Sequence, residues 1–441
     1  MKVIIIGLNH AGCAAAKTLL NLGGVQLHIY DQMREISFLS CGMALWIGGQ
    51  LASGEGLFYA SPDDFSGHGT KVFIETRVDS IDFKSRKIFC TDKHGKQFVD
   101  TYDKLLLTTG SRPRRAGIPG IDLDNIFSVK TYRDGEATVR QLARPEVRRI
   151  GIVGAGYVGV EMAEACCRQG KEVYLFDTAP RILYTHTDRI FSELIAKRMT
   201  DRGIKIYTGT RVTGFDGTKS VNGIRTSRGR FGIDMALVNL GSEPCTELGR
   251  GVLNFGPGGT YRVDDYQQTN LPDVYAAGDC ACVYNNATEE YEAVSLASNA
   301  IRTGIIAALN IAGFPSPHHG SQASSGLSIY DMKLLTTGIS VRAAQNLGLD
   351  VKWVDVEDAE YLNASDGNKV KVTLRLVYMS SDRALVGAQI ASLADLSGMI
   401  HALSLAVQNR MTIDALAWQD VFIMSEITGE NLLRKAALQA G

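Results

Sequence analysis

Residues 150–177 read IGIVGAGYVGVEMAEACCRQGKEVYLFD, and this stretch decides the fold. The unbroken apolar run from Ile150 to Val153 fits a central parallel strand buried on both faces. Gly154-Ala-Gly156-Tyr-Val-Gly159 follows, then a small-residue helix, then a second strand ending at Asp177. Strand, glycine turn and helix in that order form the setting a dinucleotide-binding turn requires. Gly154, Gly156 and Gly159 would permit a tight turn, close approach to a pyrophosphate and close helix–strand packing. Helix N-terminal amides would hold the phosphates. The competing reading is an ordinary α/β turn.

Working outward, residues 3–31 repeat the pattern as VIIIGLNHAGCAAAKTLLNLGGVQLHIYD. Gly7 to Asp31 spans 24 positions and Gly154 to Asp177 spans 23, so the chain is expected to hold two dinucleotide sites. Asp177 is placed to accept both hydroxyls of an adenosine ribose and to repel a 2′-phosphate, which favours NADH over NADPH. The first unit departs from the motif, reading Gly7-Leu-Asn9-His10-Ala11-Gly12. Asn9 brings a Cβ to the point where backbone must approach phosphate. Asparagine tolerates unusual backbone angles better than most residues, so the site is expected to survive.

A third segment, Thr269–Ala281, contains strand-like VYAAG followed by Asp279. The simplest arrangement inserts the second unit into the first domain, with the chain returning near residue 245 to complete it. From about residue 319 the character changes. Lys369–Tyr378 alternates, with Val370, Val372, Leu374 and Leu376 on one face and Lys369, Lys371, Thr373 and Arg375 on the other. That predicts a half-buried antiparallel strand. A turn at 380–383, a second strand and a helix over Ala394–Asn409 complete an α+β region. The predicted fold class is α/β: two Rossmann-like dinucleotide-binding domains, the second inserted in the first, followed by an α+β domain. The expected domains are 1–115 with 245–318, then 116–244, then 319–441.

Composition narrows the function. With 46 Lys plus Arg against 47 Asp plus Glu, net charge −1 gives no sign of a nucleic-acid or acidic-membrane partner. No apolar run is long enough to span a bilayer. Val3–Leu20 carries Gly7, Asn9, His10 and Gly12 in its middle, so it reads as strand and helix rather than a signal peptide, and a cytoplasmic protein is expected. The eight cysteines are scattered, which argues against a disulfide framework, and none forms CxxC, which argues against zinc and a thioredoxin-like pair. Cys280 and Cys282 have no second ligand pair, so no metal is expected.

Two residues invite chemistry. Cys41 lies in Ile36-Ser-Phe-Leu-Ser-Cys41-Gly-Met-Ala-Leu-Trp46, shortly after Asp31. Ser40 is placed to cap a helix starting near Gly42, which would lower the thiol pKa. A buried structural cysteine is the alternative. His10 opens the first helix, whose N-terminus disfavours imidazolium, so a neutral ring able to accept a proton fits. An uninvolved helix-start histidine fits equally.

Taken together, GLNHAG (7–12), SFLSCG (37–42), YDKLLLTTGSRP (102–113), VGAGYVGVE (153–161), VYAAGDCA (274–281), SLASNAIRTG (295–304) and SSGLSIYD (324–331) carry a family likeness. The chain resembles the single-cysteine branch of the pyridine nucleotide–disulfide reductases, the NADH oxidases and NADH peroxidases, from residue 1 to about 418. The resemblance implies FAD contacts at Gly7, Asn9, Ala11, Gly12, Asp31, Cys41, Val78, Thr109, Gly110, Ser111, Lys130, Tyr157, Asp279, Ala297 and Ser298. It implies NAD contacts at Gly154, Gly156, Tyr157, Val158, Gly159, Asp177 and Gly241, with Tyr157 an aromatic gate over the flavin or, more plainly, groove packing. Cys41 matches the redox cysteine, cycling between thiolate and sulfenic acid, and His10 matches its neighbouring histidine. Two-cysteine reductases carry their second thiol at the fifth position after the first; here that residue is Trp46. A lone thiolate suits oxidation to Cys–SOH.

The resemblance therefore implies an FAD-dependent NADH oxidase that reduces dioxygen to water, with His10 orienting or deprotonating in the thiol step. An NADH peroxidase acting on hydrogen peroxide is the alternative, and a CoA-disulfide reductase or a low-turnover redox sensor the remoter ones. It also implies a homodimer, or a dimer of such dimers, built through residues 319–441. The pattern fails in the tail, Leu416-Ala-Trp-Gln-Asp420-Val-Phe422, where the family's aromatic run with prolines is reduced to Phe422.

Overall fold

The computed structural model describes residues 1–67, 69–114, 116–362, 369–421 and 431–441. Its first sheet is parallel, in the order Val274–Ala276, Lys104–Leu107, Lys2–Ile6, Gln26–Tyr30, Lys71–Phe73. Val3, Ile4, Ile5 and Leu105–Leu107 have no exposed surface, which is why these strands read as continuous apolar runs. The second sheet is also parallel, in the order Lys205–Tyr207, Glu172–Phe176, Arg149–Val153, Met235–Val238, Ile126–Phe127. All of its strands lie between two that belong to the first sheet, Lys104–Leu107 and Val274–Ala276.

The repeat goes deeper than its motifs. The Gly7 amide donates to the Tyr30 carbonyl at 2.8 Å, and the Gly154 amide donates to Phe176 at 2.8 Å. Each parallel sheet is also accompanied by a three-stranded antiparallel one, Thr76–Asp82 with Lys87–Asp92 and Gln97–Thr101, and Val212–Gly217 with Val221–Thr226 and Gly229–Gly232. Helices His10–Leu22 and Ala297–Ile311 share one buried core with the first sheet. A Cβ on Gly304 would stand 2.3 Å from the Ala11 carbonyl oxygen, so the two helices approach at a point where only glycine fits.

The third sheet is antiparallel, in the order Ser325–Ile329, Met332–Gly338, Leu385–Ser392, Lys369–Met379, Val351–Leu362. Its helix runs Ser397–Gln408, starting later than the predicted Ala394. The half-buried reading of Lys369–Tyr378 is corrected: Thr373 and Arg375 on the polar face are buried too. Arg375 is buried because it is neutralised. It makes a bidentate pair with Asp355 at 2.7 and 2.6 Å and reaches Asp188 at 3.2 Å.

Asp188 ties the second unit to this sheet. Its carboxylate accepts from Gln389 Nε2 at 2.6 Å and from the backbone amides of Val341 and Arg342 at 3.1 and 3.3 Å. Of the tail whose pattern failed, Phe422 lies outside the described residues. Replacing Asp188 by alanine leaves Arg375 with half its compensation and strands these donors in a buried interface. The expected loss is at least about 3 kcal/mol, read as a lowered urea midpoint. A loss below about 1 kcal/mol would mean that water replaces the carboxylate at no cost.

Candidate active site

At the first glycine turn Gly7 has φ +102°, and a Cβ there would stand 2.2 Å from the Thr108 carbonyl oxygen. A Cβ on Gly12 would stand 1.9 Å from the Gly7 carbonyl oxygen. The second turn repeats this geometry. Gly154 has φ +97° with Asn239 O 2.2 Å from its missing Cβ, and Gly159 would meet Gly154 O at 1.8 Å.

The middle position is different. Asn9 has φ −112° and ψ −151°, and Gly156 has φ −76° and ψ −169°, both extended. The expected unusual angles at Asn9 are therefore corrected: any residue adopts this backbone. Asn9 is exposed at the turn, so its side chain bears on what can approach and not on how the chain folds.

Each strand-end aspartate holds its own turn. Asp31 accepts from the Leu8 and Met33 amides, both at 2.7 Å, and Asp177 from the Ala155 and Ala179 amides at 2.6 and 2.7 Å. Burial raises the Asp31 pKa, and the two amides pull against it. Gly110 and Gly241 occupy equivalent places after Lys104–Leu107 and Met235–Val238, with φ +67° and +87°. Thr109, beside Gly110, donates its hydroxyl to the Cys245 carbonyl at 2.5 Å.

Three distant segments meet at Asp279. Ser111 Oγ donates to Asp279 Oδ2 at 2.6 Å, while Lys130 Nζ donates to Ser111 Oγ at 3.0 Å and reaches Asp279 at 3.4 Å. His10 feels both charges. Burial lowers its pKa, Asp279 opposes this and Lys130 adds to it, so the ring is neutral at neutral pH. Ala297 and Ser298 open the helix that packs on the one His10 begins, and Val78 is buried on the strand Thr76–Asp82. The turn closed by Gly7 and Gly12, the helix starting at His10, Asp31 and the Asp279 cluster together fit a dinucleotide cofactor.

Cys41 lies in a short 3₁₀ turn, Ser40–Gly42, leading into the helix Met43–Ile47. All eight cysteines are free thiols, and Cys41 alone is exposed. The expected Ser40 cap is absent, and the thiol pKa is raised, not lowered. The protein around the sulfur desolvates the thiolate, and Glu161 adds repulsion; the Cys41 and Gly42 amides oppose these. Trp46 is buried and stacks on Tyr132 at 5.2 Å. Its ring fills the room that Cβ atoms on Gly54 and Gly135 would need, each 2.7 Å away. The fifth position after Cys41 is thus a packing anchor.

Tyr157 opens the helix Tyr157–Arg168, with Val158 exposed beside it. Its hydroxyl shares a hydrogen bond with Ser325 Oγ at 3.0 Å, and its ring stacks on His186 at 4.2 Å. His186 escaped the sequence reading, although its Nε2 lies 3.4 Å from where a Gly156 Cβ would stand. Tyr59 and Glu161 also escaped it. Tyr59 hydrogen-bonds His10 Nδ1 at 2.9 Å from a loop without a motif. Glu161 ends the VGAGYVGVE segment, but nothing in its spacing points at Cys41.

Burial and the neighbouring Glu164 push the Glu161 carboxyl up to about 7. It is therefore ionised where the raised Cys41 thiol titrates, and it opposes the thiolate. Glu161→Gln should move the midpoint of iodoacetamide alkylation of Cys41 to lower pH. An unchanged or higher midpoint would remove Glu161 from control of the thiol.

Residues 1–304 match the family described as pyridine nucleotide-disulphide oxidoreductase, and residues 326–430 match its dimerisation domain. The NADH oxidase of Streptococcus pyogenes is 38% identical over 453 residues, covering 100% of this chain and 99% of that protein. The NADH oxidase of Lactococcus lactis is 38% identical, covering 100% of both. The water-forming NADH oxidase of Lactobacillus brevis, solved bound to NADH, is 34% identical with a TM-score of 0.95, covering 100% of this chain and 98% of that one. With both family segments present and relatives alike over its full length, the chain belongs to the pyridine nucleotide-disulphide oxidoreductase family and carries its dimerisation domain.

Proposed function

We propose that this protein is an FAD-dependent NADH oxidase that reduces dioxygen to water. The observation that carries the reading is one exposed thiol, Cys41, in a fold with two dinucleotide turns and no partner cysteine at Trp46. The full-length likeness to a water-forming oxidase supports the same conclusion. Gly7, Ala11, Gly12, Asp31, Thr109, Gly110, Ser111, Lys130, Asp279, Ala297 and Ser298 would hold FAD, with Asn9, Cys41, Val78 and Tyr157 bordering it. When bound, FAD supplies the hydride-accepting and electron-passing chemistry.

The chain's own residues do the rest. Gly154, Gly156, Val158, Gly159 and Gly241 form the NADH turn, and Asp177 presents its carboxylate toward the adenosine ribose. Tyr157 covers the site until nicotinamide displaces it, which requires leaving Ser325 and His186. Cys41, as thiolate, attacks one oxygen of hydrogen peroxide; the O–O bond breaks, the departing hydroxide takes up a proton and leaves as water, and the sulfur becomes Cys–SOH. Two electrons and two protons return the sulfenic acid to thiol with a second water. His10 sits beside this step. The protein acts as a homodimer in the cytoplasm, within the domains 1–115 with 245–318, 116–244 and 319–441.

Oxygen and peroxide measured against NADH test the reading. Two NADH consumed per dioxygen without free peroxide is the water-forming stoichiometry; NADH consumption only on adding peroxide would make the protein a peroxidase. Cys41→Ser should release hydrogen peroxide in place of water, and loss of flavin reduction in that variant would contradict the role given to the thiol. NADH should exceed NADPH in kcat/KM by at least about tenfold, or about 1.4 kcal/mol, and equal turnover would overturn the reading of Asp177.

A further inference from the structure

The loop that carries Cys41 also holds Tyr59. Phe38 pairs with Phe58 in an antiparallel bridge, and the Leu39 amide donates to the Leu57 carbonyl at 2.8 Å. Ser37 grips the next residue from both sides: its hydroxyl donates to the Ala60 carbonyl at 2.5 Å and accepts from the Ala60 amide at 3.0 Å. Ser37 does this while fully buried and at φ +57°, a left-handed conformation that costs a non-glycine residue about 1 kcal/mol or more. Strain of this kind persists only where surrounding contacts over-determine it.

What the strain places is the Tyr59 ring. It lies nearly parallel to the His10 imidazole, at 7° with centroids 5.6 Å apart, and its hydroxyl stands 2.9 Å from Nδ1. Hence Cys41 and the partner of His10 follow from one pair of segments clamped by a single bridge, although Tyr59 is 49 residues from His10.

We propose that Tyr59 is a positioning residue: its phenol donates to His10 Nδ1 and holds the imidazole as the Nε2–H tautomer. His10 then presents a hydrogen-bond donor at its free nitrogen, not a base. A neutral imidazole has one donor and one acceptor nitrogen, and a phenol has one proton to give. The alternative acceptor for that proton is the thiol of Cys13, but sulfur is a weak acceptor beside an imidazole nitrogen. Burial holds the Tyr59 phenol protonated and the His10 ring neutral, which suits this arrangement.

The proposal rests on the oxidase reading for its consequence but not for its test. In ¹⁵N-histidine-labelled holoenzyme, with His10 assigned from a His10→Gln spectrum, long-range ¹⁵N–¹H correlations should report the Nε2–H tautomer. Tyr59→Phe should convert that signal to a mixture or to Nδ1–H. A wild-type Nδ1–H tautomer, or a spectrum unmoved by Tyr59→Phe, overturns the proposal whatever the enzyme's activity. In turnover, Tyr59→Phe should raise peroxide released per NADH by about threefold or more while the KM for NADH shifts less than about twofold. A change in KM alone would assign Tyr59 to NADH binding and overturn it. Wild-type enzyme that releases all its oxygen as peroxide would refute the water-forming reading and leave the tautomer measurement standing.

Discussion

A carboxylate at the end of a strand, accepting a hydrogen bond from the amide inside a glycine turn, is the contact on which both nucleotide units depend. Asp31 takes the Leu8 amide and Asp177 the Ala155 amide, at 2.7 and 2.6 Å. Charge-assisted bonds of this kind contribute roughly 1.5–3 kcal/mol each. They fix the turn before any ligand arrives, so the amides of the following helix are already aimed. The requirement propagates. Gly7 and Gly154 must take positive φ, and Gly12 and Gly159 must lie against the turn's own carbonyls.

Around this frame the surroundings of Cys41 and of His10 are assembled from pieces far apart in the chain. Trp46 stacks on Tyr132 and seats the helix that follows Cys41. Ser111, Lys130 and Asp279 bring one positive and one negative charge near His10, and burial decides that the ring stays neutral. The raised Cys41 thiol shows the same competition between local amides and desolvation, and here desolvation together with Glu161 prevails. A thiol that is not strongly ionised in the protein alone leaves its activation to groups that gather around it.

The third sheet is joined to the second nucleotide unit through charge and not through apolar surface alone. Arg375 lies buried between Asp355 and Asp188, and Asp188 also collects Gln389 and two backbone amides. Such a post is directional, and it fixes the strands bearing Ser325 and Thr336 relative to Tyr157. The hydroxyl of that tyrosine reaches both, at 3.0 and 3.5 Å.

Local sequence determined the two parallel units, their turns and their strand-end aspartates, because unbroken apolar runs, glycines at fixed spacing and a closing carboxylate are short-range signals. It also marked Cys41 as a lone thiol, since the residue at position 46 is a tryptophan. It misread Arg375 as a surface residue, because alternation reports which face a side chain is on and not what covers that face. It overstated the strain at Asn9 and the cap at Ser40, since backbone angles and capping bonds are set by the path of the chain. Tyr59 and His186 belong to no motif, and Glu161 closes one whose spacing does not point at Cys41. Their places beside His10, Tyr157 and Cys41 follow from loops and helices brought together in the folded chain, and only the tertiary structure decides such pairs.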